Sequence, residues 1–106
     1  MPLKIFFLPS YERCLKSLGH REQQIAGFVV MALEKYFQSG TTASHEPYVF
    51  EYHKRAYRLV FKKLRHDLWE AYVEKQVRLL MQRHGNGHYL IFAGNHDSVR
   101  KFLKND

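Results

Sequence analysis

The hydrophobic pattern changes period once along this chain, from a helical spacing in the first third to a strand spacing afterwards. Residues Lys4 to Leu8 form a short apolar run, rich in phenylalanine and stopped by Pro9, and read as a buried strand. Ser10 then stands where an N-cap belongs. Tyr11, Cys14, Leu15 and Leu18 recur at helical spacing, and Gly19 marks the stop. Ile25, Phe28, Val29, Ala32, Leu33, Tyr36 and Phe37 continue the i, i+3, i+4 pattern over a longer helix that ends near Ser39-Gly40. The Thr/Ser-rich stretch from Gly40 to His53 reads as a long loop, with an extra strand conceivable from Tyr48 to Lys54. Beyond it, strands are expected over Tyr57 to Leu64, Leu68 to Glu74, Val77 to Arg83 and His88 to Ala93. Gly85-Asn86-Gly87 closes a hairpin between the last two. Asn95 or Asp97 caps a short tail helix with Val99, Phe102 and Leu103 on its inner face.

Helices grouped at the start and strands at the end predict an α+β fold. The expected form is two N-terminal helices packed on a twisted antiparallel sheet of about four strands, closed by a short C-terminal helix. No repeat or linker divides residues 1–106, and the length suits one domain with one core.

Composition narrows the class of partner. Seventeen Lys and Arg against ten Asp and Glu give a formal charge of +7, enough on so small a surface to attract polyanions. A single cysteine, Cys14, excludes an intramolecular disulfide and suits a reducing compartment. The apolar opening is interrupted by Pro9, Glu12 and Arg13 before it resembles a complete signal peptide, and no run is long enough to span a bilayer. A cytoplasmic location, with no membrane partner, is the expectation.

Cations gather in the strand half at Lys54, Arg55, Arg58, Lys62, Lys63, Arg65, Lys75, Arg78 and Arg83. Tyr48, Tyr52, Tyr57, Trp69, Tyr72 and Tyr89 are interleaved with them. Cations neutralise phosphates and aromatic faces stack on unpaired bases, so the mixture suits single-stranded RNA; a solvated basic face over ordinary core aromatics is the plainer reading. His66-Asp67 and His96-Asp97 are weak signals on their own. His84 and His88 flank the hairpin turn, where a facing pair is one arrangement open to them, but too few further ligands are evident for a metal site, and the seven histidines otherwise read as surface residues. No glycine-rich phosphate loop or nucleophile elbow is present, and no cofactor is expected.

Four segments taken in order resemble the RelE/ParE toxin superfamily: Phe61-Lys62-Lys63-Leu64-Arg65, Leu68-Trp69-Glu70-Ala71-Tyr72-Val73, Val77-Arg78-Leu79-Leu80-Met81 and Leu90-Ile91-Phe92-Ala93-Gly94-Asn95-His96-Asp97. They are most similar to the branch whose last strand ends in Gly-Asn-His-Asp before a short basic-apolar tail, here Val99-Arg100-Lys101-Phe102-Leu103. The resemblance implies a toxin of a type II toxin–antitoxin pair that enters the ribosomal A site and cuts mRNA without a metal, so inhibiting translation. The ribose 2′-hydroxyl attacks the adjacent phosphate and the 5′-oxygen leaves, which requires a base, cations around the phosphate and an acid.

On that resemblance Arg65 and Arg78 are the phosphate and transition-state cations, Glu70 the base and His96 the acid. Lys62, Lys63, Tyr72, Arg83, Asp97 and Arg100 complete the RNA-binding set, with Asp97 orienting His96 or capping the tail helix. An ion pair between Glu70 and Arg78 that only fastens two strands is the equal alternative. The branch usually carries arginine where this chain has Tyr72, and tyrosine cannot neutralise a phosphate. Two other readings therefore stand beside the endoribonuclease: a ParE-like inhibitor of DNA gyrase, and a catalytically silent relative that binds a partner protein. The expected partners are mRNA, the ribosome and an antitoxin encoded by an adjacent gene, acidic in part.

Overall fold

The computed structural model describes residues 4–38, 48–74, 76–85 and 87–104. In chain order the elements are β1 (Lys4–Phe7), α1 (Pro9–Ser17), α2 (His20–Gln38), β2 (Tyr48–Tyr52), β3 (Arg55–Arg65), β4 (Leu68–Tyr72), β5 (Arg78–His84), β6 (Gly87–Gly94) and α3 (His96–Lys104). One sheet of six strands, ordered β1-β6-β5-β4-β3-β2, forms the body of the molecule.

This corrects the expected four-stranded antiparallel sheet. Two edge strands account for the difference. β1 joins the sheet parallel to β6, with Phe6 opposite Tyr89, which makes the sheet mixed. β2 arises inside the stretch read mainly as a loop and pairs antiparallel with β3. Its turn residues His53 and Lys54 both have positive φ, 50° and 63°, as primed hairpin turns require. That turn carries no glycine, so the usual sequence signal was missing. β1 is not a buried strand either: Phe6 and Phe7 are 41% and 47% exposed, because an edge strand is covered on fewer sides than its composition suggests. The expected end of α2 at Ser39-Gly40 and the turn residue Asn86 lie outside the described residues.

The sheet buries its two faces unequally. On one face α1 and α2 lay down Tyr11, Ala26, Val29, Ala32, Leu33 and Tyr36 against Leu59, Ala71, Leu79, Met81 and Leu90. Strand alternation sends the neighbours of these positions to the opposite face. There α3 covers only one side, packing Val99, Phe102 and Leu103 against Leu64, Leu68, Leu80, Ile91 and Phe92.

Two bulges shape this second face. Lys63 pairs with Trp69 but Arg65 pairs with Leu68, so Leu64 is the extra residue and Arg65 turns to the face that Lys63 avoids. Leu80 pairs with Phe92 while Met81 pairs with Leu90, leaving Ile91 outside the β5–β6 register. The Ile91 carbonyl accepts a hydrogen bond from Ser10 Oγ at 2.9 Å. Ser10 is thus no N-cap. It lies in the first turn of α1, where Pro9 and Leu8 already set the helix start, and it fastens that helix to β6.

Candidate functional site

Cross-strand register assembles a charged cluster on the half of the second face that α3 leaves open. Lys62 of β3 stands directly opposite Glu70 of β4, and Glu70 opposite Leu80 of β5. Arg78, two residues before Leu80, reaches back across the strand, and its Nη1 donates to Glu70 Oε1 at 3.3 Å. Lys62 Nζ lies 3.5 Å from the same oxygen. The Arg78 guanidinium also sits over the Tyr72 ring, 4.4 Å from its centroid, with Lys62 Nζ at 6.0 Å from that ring.

Burial differs sharply within the cluster. Glu70 is 3% exposed, whereas the Lys62 side chain is 50% exposed. A carboxylate so deep is tolerated only because two cations meet it. Arg78 is held from below by Glu70 and flanked by an aromatic face. Its Nε is buried and meets no acceptor among the described residues. With Glu70 on one side and the Tyr72 ring on another, the guanidinium is held in place, and the 13% of its side chain that remains exposed is the part an anionic ligand could meet.

The N-terminus of α3 borders this cluster through the chain itself, since Gly94, the cross-strand partner of Arg78, precedes Asn95 and His96. Asn95 Oδ1 accepts from the Ser98 N–H at 2.8 Å, which makes Asn95 the cap and leaves Asp97 free of that duty. Asp97 Oδ1 lies 3.7 Å from His96 Nδ1, and both side chains are exposed. Arg100 points outward with Asp97, Lys101 and Lys104 along a shallow hollow on α3.

The remaining sequence candidates separate. Lys63 and Arg83 lie on the helix-covered side of the sheet, Lys63 opposite Trp69 and Arg83 opposite His88. Arg65 shares the open face with Arg78 but at the other end. Its row runs through Leu68 to Gln82, four residues along β5 from Arg78, about 13 Å at strand rise.

There Arg65, His66, Asp67, Leu68, Gln82, Ile91 and Phe102 line a hollow of about 490 Å³ between the β3–β4 turn and the end of α3. Sequence reading missed this hollow, and with it Gln82 and Phe102. Its walls come from four separated segments, and no local motif announces them.

His88 is no surface residue and does not face His84 across the turn. It is 1% exposed and stacked on Phe37 at 4.3 Å, and its Nδ1 has no hydrogen-bond partner among the described residues. Burial, reinforced by the Arg83 charge, lowers its pKa to about 4. His84 belongs to the next row, opposite Gly87, with Nε2 3.5 Å from Asp67 Oδ2. Among the described residues no three His, Cys, Asp or Glu side chains gather where a metal ion could be held. None of the described helices is long and apolar enough to cross a membrane.

No known family profile matches this sequence. No curated protein matches it either. Among solved structures, a copper-bound mutant toxin from Helicobacter pylori is similar in backbone path, with a TM-score of 0.48 and 13% identity over 92% of this chain and 98% of that one. A similarity of that size assigns no chemistry to this chain.

Proposed function

We propose that this chain is a toxin of the RelE/ParE kind that binds single-stranded RNA on the open sheet face and cleaves it without a metal. The observation that carries the reading is Arg78, held between the Glu70 carboxylate and the Tyr72 ring beside the exposed Lys62 amine. A phosphate brought to Arg78 and the exposed Lys62 amine meets two cations whose positions are set before it arrives, which is how a site stabilises charge developing in a transition state. In the cleavage step the 2′-oxygen bonds to phosphorus and its proton passes to the Glu70 carboxylate. The phosphorus–5′-oxygen bond breaks, and the departing oxygen takes a proton from His96 acting as the acid. The products are a 2′,3′-cyclic phosphate and a 5′-hydroxyl end. Tyr72 takes no part as a cation; it orients the one beside it. An antitoxin with an acidic segment and the translating ribosome complete the set of proposed partners.

A second reading has one observation in its favour. Glu70 is nearly sealed from solvent, which suits a strand-fastening ion pair better than a proton acceptor. On that reading the same face binds an acidic partner protein and no RNA is cut.

Induction in a bacterial host separates the two. The toxin reading expects growth arrest with codon-phased cuts in translated messages, relieved by co-expression of the neighbouring reading frame. Normal growth with intact messages would leave the binding module, and filamentation with DNA damage and intact messages would select gyrase inhibition.

A further inference from the structure

The hollow at the far end of the open face is not explained by phosphate binding at Arg78. It lies about 13 Å away along β5, as four residues of strand dictate, and on the same face. At about 490 Å³ it falls within the size range of small-molecule sites. One wall is apolar, built from Leu68, Ile91 and Phe102. The other is polar, built from Arg65, His66, Asp67 and Gln82.

The β3 bulge is what delivers Arg65 here, because without the extra Leu64 its side chain would point to the helix-covered face. The tight turn holds Asp67 beside it: His66 adopts a φ of 41°, and the Asp67 carbonyl accepts from the Arg83 N–H at 2.9 Å. Asp67 is therefore carried on a turn fastened to β5, between Arg65 at the end of β3 and Gln82 on β5.

We infer that this hollow is a base-recognition subsite for guanine in the RNA strand whose phosphate sits at Arg78. The inference rests on the RNA reading above. Guanine presents acceptors at O6 and N7 and donors at N1 and N2. An arginine fork addresses the first pair, and a carboxylate accepts from the second. Arg65 and Asp67 supply that pairing on one rim, and Gln82 carries both a donor and an acceptor. The Phe102 ring and the Ile91 and Leu68 side chains give an unstacked base an apolar surface to cover, as proteins that read single strands do. Adenine offers the reverse polarity at position 6 and has no N1 hydrogen, so it brings no donor of its own to Asp67, whose Oδ2 already lies 3.5 Å from His84 Nε2.

Fluorescence anisotropy on the full chain tests this, with uridine-rich RNA hexamers that carry one central guanine, inosine or adenine. The wild-type protein should bind the guanine hexamer about tenfold more tightly than the adenine one, in line with the discrimination of a bidentate base contact. Inosine, which lacks the N2 donors, should fall between them. Asp67→Asn and Gln82→Ala should each shrink the guanine-to-adenine ratio, with circular dichroism confirming that both variants fold. Equal affinity for all three hexamers would overturn the subsite while leaving RNA binding intact, as would a preference unchanged by both substitutions. Failure of the wild-type protein to bind any hexamer would instead remove the RNA reading and the subsite with it.

Discussion

Arg78 stands 4.4 Å over the ring of Tyr72, so the tyrosine that stands where the resembled branch carries arginine serves as a platform for the neighbouring cation. A tyrosine cannot replace an arginine charge, but its ring face can fix the direction of the arginine that remains.

Tyr72→Ala should therefore weaken phosphate-dependent RNA binding several-fold, while Tyr72→Phe keeps the ring and should leave binding close to wild type. A cation–π contact of about 1 kcal/mol sets that scale. Anisotropy titrations of a short RNA against the three proteins make the comparison. Equal losses for both substitutions would point to the hydroxyl and away from the ring.

Glu70 is the anchor beneath both cations, so its removal should be felt in the fold. Glu70→Ala strands the Arg78 guanidinium over an apolar gap and should cost about 3 kcal/mol in urea unfolding. Glu70→Gln keeps the shape and one acceptor and should cost less. A Glu70→Ala variant as stable as wild type would show that the pair contributes nothing to the fold.

His88 gives stability a pH dependence of known sign. Its folded pKa is near 4 against 6.5 for the ordinary histidine, so above about pH 6.5 it is neutral in both states and has no effect. As pH falls from 6.5 towards 4 the unfolded chain takes up a proton that the folded chain refuses, and stability is lost. A shift of this size corresponds to roughly 3 kcal/mol at the acid end. Unfolding curves at pH 7.5, 5.5 and 4.5 should show the decline, and His88→Leu should flatten that part of it.

The β2–β3 turn holds Lys54 at a φ of 63°, in the left-handed region that costs a side-chain-bearing residue about 1 kcal/mol or more. Lys54→Gly should offset this strain against glycine's own entropic cost and raise stability by up to about 0.5 kcal/mol. Differential scanning calorimetry reads this as a rise in Tm of a few degrees. A fall in Tm would mean that the lysine side chain contributes more than its backbone conformation costs.

What the sequence made legible was what periodicity encodes. The helical stripe from Ile25 to Phe37 lies on the core, and Val99, Phe102 and Leu103 face inward on α3 as their spacing requires. Lys62, Glu70, Tyr72 and Arg78 could be named as candidates and do come together, because β3, β4 and β5 pair as sequential neighbours. Three kinds of feature were hidden. β2 follows a stretch of weak pattern and turns without glycine. A bulge, invisible to alternation, carries Arg65 away from the face of Lys63. The burial of His88 depends on Phe37, fifty-one positions earlier, and nothing near the hairpin signals it. The hollow at Gln82 and Phe102 is likewise a product of α3 crossing the sheet.

The central claim, that Arg78 holds the reacting phosphate, is tested most directly by mapping 5′-hydroxyl RNA ends in a purified translation system supplied with wild-type protein or Arg78→Ala. Wild-type protein should generate new 5′-hydroxyl ends in a translated message, persisting when tightly bound transition metals are chelated with magnesium retained. Arg78→Ala, folded by circular dichroism, should lower their yield at least a hundredfold, on the scale expected for losing a principal transition-state contact. Undiminished cutting by Arg78→Ala at equal soluble concentration, or no cutting by the wild-type protein, would contradict the account.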